Sequence, residues 1–377
     1  MAHDLALGSG IRGMIYLDYQ ATTPLAPEAL AAMLPWLESQ HANPHSAHAP
    51  GRAAKAAVEV ARDAVAGLLP PGGTVSFTSG ATEAINWAIK GVGPGKIVTL
   101  ATEHAATLDT VEALAKAGRA VTVLPVGPDG LVDLAVAKAA ITPGTALVAA
   151  MLVNNEIGVI QPIAELAALA HEAGALLLCD AVQGYGRIAI PEGCDLVAIS
   201  AHKIHGPKGI GALWIRDGIS IAPLLHGGGQ EAAGRSGTLS PALCAGFGAA
   251  ARLAGDYHED DATHVEALWG LAIERLGEDW IINGLVEQRY HGNLNIRRKG
   301  LDVNRLMSGL RDIAFSAGSA CASGSGRPSH VLRALGLGDG EARSSIRLGF
   351  GRYTSEEELA AGIDRIVAAA VAQRVAA

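Results

Sequence analysis

An acid, an amine and a thiol stand at positions in this chain where chemistry is possible. The acid is Asp180, which closes the apolar run "ALLLCDA". A carboxylate at the mouth of a buried strand is costly unless a cation or strong donors meet it. It therefore serves as partner to a protonated ring nitrogen, as a helix cap, or as half of a structural ion pair. The amine is Lys203, presented with Ser200 and His202 after the next apolar run in "DLVAISAHKIHGPKGIGAL". A lysine at that depth loses hydration, which lowers its pKa and frees the amine to form an imine. One strand-helix interval separates Asp180 from Lys203, so both fall on the same edge of one sheet. The thiol is Cys321, set in "SAGSACASGSG" among Ser, Ala and Gly alone. Side chains this small pack poorly and glycine frees the backbone, so the stretch reads as a mobile surface loop.

A fourth feature is an anion cradle. "VSFTSGATEAINWAIK" reads as a strand, a tight turn Ser79-Gly80-Ala81-Thr82 and a helix. The open N–H groups and dipole at such a helix start attract a phosphate, and Thr82 adds a hydroxyl; the ordinary alternative is a helix capped by Thr82. No GxxxxGK[ST] occurs, and "GVGPGK" has the wrong spacing for a Walker loop. A cradle for phosphate, an acid for a pyridinium and an amine for an aldehyde are together what pyridoxal phosphate requires.

These residues need a scaffold that places strand ends side by side. From about Pro27 to Arg216, apolar runs ("GTVSFTSG", "GKIVTLAT", "AVTVLPV", "TALVAAMLVN", "ALLLCDA", "DLVAIS") alternate with helical patterns such as "EAINWAIK", "ATLDTVEALAKAG" and "IAELAALAHEAG", the last two stopped by Gly. The alternation implies an α/β fold with a mainly parallel sheet and helices on both faces, whose ligands gather beyond the carboxyl ends of the strands. After about Leu239 a long helical region, Pro241 to about Gly277, leads to antiparallel strands near Trp280–Ile282 and Gly292–Ile296. The helix "SEEELAAGIDRIVAAAVAQ" follows, as expected of a smaller α+β unit.

With 377 residues the expectation is two domains, and with 49% hydrophobic against 18% charged residues the chain can bury a large core. A net charge of -8 without any Lys/Arg cluster argues against a binder of nucleic-acid backbones. The first fifteen residues lack the pattern of a secretory signal. No apolar run approaches the roughly 20 residues of a membrane span. Four cysteines without a CxxC pair suit a reducing cytoplasm, and Cys179, Cys194 and Cys244 fall at positions where thiols act as small apolar residues.

The chain resembles the cysteine desulfurases of the NifS and IscS type, within the class V aminotransferase group of pyridoxal phosphate enzymes. The similarity runs nearly end to end through "YLDYQATTPLAPEAL", "ANPHSAH", "FTSGATEAINWAIKG", "TEHAATLDT", "VNNEIGVIQPI", "CDAVQGYGRI", "SAHKIHGPKGIGAL", "HGGGQEAAGRSGT", "SAGSACASG" and "SSIRLGFGRYT". The resemblance implies a fold type I enzyme. Its large α/β domain, residues 16–255, carries a mainly parallel seven-stranded sheet; a small α+β domain, residues 1–15 and 256–377, carries the cysteine loop.

By the same resemblance Lys203 holds the cofactor as a Schiff base, Asp180 pairs with its ring nitrogen, and His104 stacks on the ring and shuttles protons. Gln183 and Asn155 contact the ring hydroxyl side or the substrate. Ala81, Thr82, Ser200 and His202 hold the phosphate, with Ala201 also at the cofactor and Thr238 reaching in from the second subunit of a homodimer. Arg347 clamps the substrate carboxylate. The implied reaction turns L-cysteine into L-alanine and leaves the sulfur on Cys321 as a persulfide, for an iron-sulfur scaffold or another acceptor; Cys321 would be a transient cluster ligand. The same scaffold also carries selenocysteine lyases and small-amino-acid aminotransferases, and a catalytically idle docking subunit for iron-sulfur assembly is the alternative of another class. Where the family often has Tyr after "HKI", this chain has His205.

Overall fold

The computed structural model describes residues 13–232, 234–318 and 328–374. A short strand β1 (Ile15–Tyr16) precedes helices α1 (Pro27–Glu38) and α2 (Ala49–Ala66). Strand and helix then alternate as β2 (Gly73–Thr78), α3 (Ala81–Gly91), β3 (Lys96–Leu100), α4 (Ala105–Lys116), β4 (Val121–Leu124), α5 (Leu134–Ala140), β5 (Thr145–Met151), α6 (Ile163–Glu172) and β6 (Leu176–Asp180). Two strands without an intervening α-helix, β7 (Leu196–Ser200) and β8 (Gly211–Arg216), close the run.

These strands form one sheet of order β2-β8-β7-β6-β5-β3-β4. All neighbours run parallel except β8, which is antiparallel to both β7 and β2. The six runs read from the sequence are all strands; β8 is the seventh. Successive residues serve opposite faces, as the period of two requires: Val148 and Ala150 join the core under α2, α6 and α7, whereas Leu147 and Ala149 join the one under α3 and α4. Glycines end α4 and α6 as expected, with Gly118 at φ 94 and Gly174 at φ 74.

The long helical region divides into α7 (Pro241–Asp256) and α8 (His258–Leu276). Beyond it come β9 (Ile281–Ile282), β10 (Asn293–Arg297), α9 (Val303–Gly309), β11 (Ile313–Ala314), β12 (Ser316–Ala317), α10 (His330–Ala334), α11 (Asp339–Arg343), β13 (Ser345–Gly349) and α12 (Glu356–Arg374). Strands β12-β13-β10-β9 make an antiparallel sheet, and β1 pairs with β11. A second core joins this sheet to α8, α12 and Leu17. We propose that the large and small domains divide as 16–255 and 1–15 with 256–377, because the break between α7 and α8 separates helices serving different cores.

Helix α7 lies very close to α2. A Cβ built on Gly248 would sit 2.6 Å from Ala61 Cα. Gly→Ala inside a helix normally gains about 1 kcal/mol in propensity, but overpacking against a backbone atom costs about 1–3 kcal/mol. Gly248→Ala is therefore expected to lower stability in urea unfolding, whereas an unchanged or raised midpoint would show that the helices separate freely.

Candidate active site

The candidate residues gather along the carboxyl edge of the large sheet. Strand β7 ends at the buried Ser200 and runs directly into a single 3-10 turn, Ala201–Lys203. The turn holds Lys203 at the edge, where its Nζ donates to the carbonyls of Gln20 at 2.5 Å and Ala21 at 2.9 Å. On the neighbouring strand β6, Asp180 is the last residue and is buried; its Oδ1 accepts from Val182 N–H at 3.0 Å. Burial pushes the Asp180 carboxyl up, and the Val182 N–H, His104 and Lys203 oppose that rise. The sequence reading of one shared edge is thus the arrangement found.

His104 is the N-cap of α4, and its Nδ1 accepts from Ala106 N–H at 3.0 Å. An accepting Nδ1 puts the proton of the neutral ring on Nε2. Burial, the largest effect, holds the His104 pKa below its ordinary value, with Asp180 opposing and Lys203 and His330 adding to the fall. Just before it, Glu103 is buried, with Oε1 accepting from Met151 N–H at 2.7 Å and Oε2 without a partner among the described residues. Met151 is the register partner of Asp180, and burial followed by the Asp180 charge raises Glu103 well above the usual carboxylate range.

The turn after β2 opens α3 with Gly80 as N-cap, and among the described residues no side chain caps the helix. Thr82 lies within the first turn and does not act as the cap, so the ordinary capping alternative is not what forms. Gly211 lets this turn approach the sheet, since a Cβ there would fall 2.8 Å from the backbone of Gly80 and 2.5 Å from Ile199 O. At His202 the Nδ1 meets Thr22 Oγ1 at 3.1 Å, and burial first, then Lys203 and Lys208, brings its pKa down to about 4.

One cavity of about 500 Å³ joins these parts. Every site residue expected from the sequence lines it except Ala201, Thr238 and Cys321. Ala201 is fully buried, with its N–H donated to Ile210 O at 3.2 Å; Thr238 is exposed; Cys321 lies outside the described residues. Arg347, only 1% exposed, reaches the cavity from β13 of the small sheet. Its Nη2 donates to Asp18 Oδ1 at 2.8 Å and its Nη1 to Asn155 O at 2.9 Å, while Nε has no partner among the described residues. Its register neighbour is Ser316 of β12, the strand that precedes the Cys321 segment in the chain.

Gln183 bridges the site, with Nε2 donating to Gln20 O at 3.0 Å and Oε1 accepting from Arg187 at 3.0 Å. Gln20, Ala21, Asp18, Glu103 and Arg187 were not singled out from the sequence. The stretch "YLDYQATTPLAPEAL" was a signal for the first three, but their roles depend on contacts with β7 and β13, far along the chain. His205 is the one non-glycine residue with positive φ among the described residues, at 68°. Its Nδ1 meets Pro24 O at 3.0 Å, and its ring packs edge-on to Tyr19 and Tyr353. The three remaining cysteines are buried, as expected of structural thiols. Cys179 is pushed well up by its hydrogen bond with Cys194 and by burial, and burial takes Cys244 up to about 12.

The aminotransferase class-V family model matches residues 15–361. The chain belongs to the class V aminotransferase family. This member is 44% identical over 361 residues to a protein named cysteine desulfurase IscS from Rickettsia bellii, covering 92% of this chain and 88% of that one. It is also 44% identical to the one from Rickettsia felis, over 93% and 90% of the two chains. Among solved structures, one titled a NifS-like protein superposes with a TM-score of 0.87 at 32% identity, covering 94% of this chain and 98% of the other. The NifS-like protein from Rickettsia africae gives 0.87 at 31%, covering 94% and 99%. The family member depends on pyridoxal phosphate. The residues present fit that group: an uncapped helix start for phosphate, a buried acid for a ring cation, and an amine between them, in a cavity within the ligand range of about 300–1,000 Å³.

Two outcomes are expected. Gly211→Ala should keep the far-UV circular dichroism of the fold yet weaken pyridoxal phosphate uptake by about tenfold or more, read by absorbance titration; undiminished uptake would contradict the close-approach argument. The second concerns pH. Glu103 and Asp180 both have folded pKa values above their ordinary ones. Such groups contribute stability fully below the unfolded range near about pH 4, and that contribution is lost as pH rises through the folded values. Melting of the cofactor-free Glu103→Gln protein should therefore gain on the parent as pH rises from 4 toward neutrality, and a constant difference would refute it.

Proposed function

We propose that the protein is a pyridoxal phosphate-dependent cysteine desulfurase, which converts L-cysteine to L-alanine and takes the sulfur onto Cys321. One arrangement carries the reading: Lys203, Asp180, His104 and Arg347 converge on a single cavity, and β12, beside Arg347, leads in sequence to Cys321. When bound, the cofactor supplies an electrophilic aldehyde and a conjugated pyridinium that accepts the electron pair left at the amino-acid Cα.

Each residue has a task in this reading. The Ala81–Thr82 helix start, Ser200 and His202 hold the phosphate, joined by Thr238 of the partner subunit in a homodimer. Asp180 keeps the ring nitrogen protonated, and that positive charge in turn offsets the desolvation that raises the acid. Lys203 would hold the aldehyde, and its Nζ is the group placed to take the Cα proton of the substrate. His104 is less suited to be that base, because Nδ1 is occupied by the Ala106 N–H and Nε2 already bears the proton; it stacks on the ring and donates from Nε2. Gln183 and Asn155 line the ring hydroxyl side, and Ala201 supports the turn below. Arg347, oriented by Asp18 and the Asn155 carbonyl, receives the substrate carboxylate. Cys321 Sγ, as thiolate, then bonds to the substrate sulfur as the carbon–sulfur bond breaks; the bond pair leaves with Cβ, which takes up a proton, Cα regains the proton held on Lys203 Nζ, and a persulfide remains on the enzyme with alanine in the site.

A persulfide on Cys321 suits delivery to an iron-sulfur assembly protein or another sulfur acceptor, with Cys321 as a transient cluster ligand. We place this activity in the cytoplasm; no helix among the described residues is long and apolar enough to cross a membrane.

Cys321→Ala is expected to retain the visible absorbance of the bound cofactor while losing sulfide release from L-cysteine under thiol reductant. Full retained release would remove the persulfide step, and no alanine from the parent protein would overturn the function itself. Arg347→Lys should lower kcat/KM by about 10–100-fold, mostly through KM, since the lysine keeps the charge but loses the fork; an unchanged KM would take Arg347 out of substrate binding.

A further inference from the structure

A second cavity of about 150 Å³ lies between the two cores on the other side of the Lys203 turn, and Lys203 lines both cavities. Its walls include two carboxylates, Asp261 and Glu266, and both already have side-chain partners. Asp261 Oδ1 accepts from Arg352 Nε at 2.9 Å, and Glu266 Oε2 meets His291 Nδ1 at 2.7 Å. Two guanidiniums in the same wall are matched differently. Among the described residues Arg187 donates to neutral acceptors alone: Gln183 O at 3.2 Å, Gln183 Oε1 at 3.0 Å and Lys203 O at 2.6 Å.

Arg289 is the more telling of the two. It is 6% exposed, its Nη2 donates to the Ile157 carbonyl, and neither Nε nor Nη1 has a partner among the described residues. Aromatic faces lie against both groups, with Arg289 Cζ 5.2 Å from the centre of the Trp269 ring and Arg187 Cζ 5.1 Å from that of Tyr290. Burial brings the Arg289 pKa down to about 10, which leaves it cationic at neutral pH. A buried guanidinium with two unsatisfied nitrogens is costly, and an oxyanion is the ligand whose acceptors and charge both remove that cost.

We propose that this cleft between the two cores is a binding site for a small oxyanion, held by Arg289 and Arg187 and separate from the candidate catalytic cavity. The Arg187–Lys203 carbonyl bond gives occupancy a direct mechanical connection to the turn that carries the lysine. The inference stands on this cleft alone and does not require the desulfurase reading.

The test uses the cofactor-loaded enzyme, so that the phosphate cradle is filled. Sulfate and, separately, acetate are titrated by calorimetry at constant ionic strength into the parent and Arg289→Gln. Saturable binding of either anion by the parent, weakened by about tenfold or more in the variant, is the expected result. Crystals of the parent soaked in selenate provide a readout that does not depend on the variant folding, with an anomalous peak expected within hydrogen-bond distance of the Arg289 guanidinium. No saturable binding of either anion, equal binding by the variant, or no selenate peak in the cleft would overturn the proposal, and none of these outcomes bears on whether alanine forms from cysteine.

Discussion

The constraint on which the site depends is the burial of a carboxylate, Asp180, at the end of a strand with β5 on one side and β7 on the other. Asp180 is 4% exposed, and a second buried acid, Glu103, is tied to the adjacent strand. An apolar environment disfavours two negative charges at such a place, so the surrounding structure supplies positive character: the Val182 N–H, Lys203, His104 and the start of α3. Among these, burial outweighs the local compensation, since both acids remain raised. Two raised carboxyls favour a cationic partner at this edge, and a protonated ring nitrogen is such a partner.

The carboxyl edge of the large sheet also has to hold its place against the small sheet, and the joint is made largely of donors meeting carbonyls. Asn293 donates to Asn155 O at 3.2 Å and Asn295 to Glu156 O at 2.9 Å, while Gln20 donates back to Gly292 O at 2.7 Å. Arg347 binds in the same region, to Asn155 O and Asp18. These bonds are buried or partly buried, so each has more weight than a solvent-exposed pair. The loop bearing Asn155 is consequently positioned by β10 and β13, the latter carrying Arg347, so groups from both sheets share one frame.

Much of this was legible in the sequence because the signals were local. Apolar runs bounded by Gly or polar residues gave six strands, and the residues just beyond them gave Asp180 and Lys203. Strand β8 was harder to read: "GIGALWIR" follows a Gly-rich turn, and nothing in a short apolar run encodes that it returns antiparallel. At the division of the long helical region, Tyr257, the nearby Gly255 lies inside the last turn of α7 and the residue at the break is not a helix breaker. Gln20, Glu103 and Arg187 were missed for another reason. Gln20 and Arg187 act on the lysine turn through a carbonyl and a guanidinium, and Glu103 acts from inside the core, so no spacing rule announces them.

Strand β8 has a further consequence. It stands between β2, whose turn opens α3, and β7, whose turn carries Lys203, and Asp180 ends the strand on the far side of β7. Neighbouring strands are about 4.8 Å apart, so the cradle, the lysine and the acid are set out across the sheet in whole strand widths. That makes the sheet a ruler with coarse graduations, which side-chain substitutions can tilt but cannot rescale. Only the gain or loss of a strand would change the length of molecule it measures, and for that reason the protein's chemistry can vary in its loops while the size of its cofactor cannot.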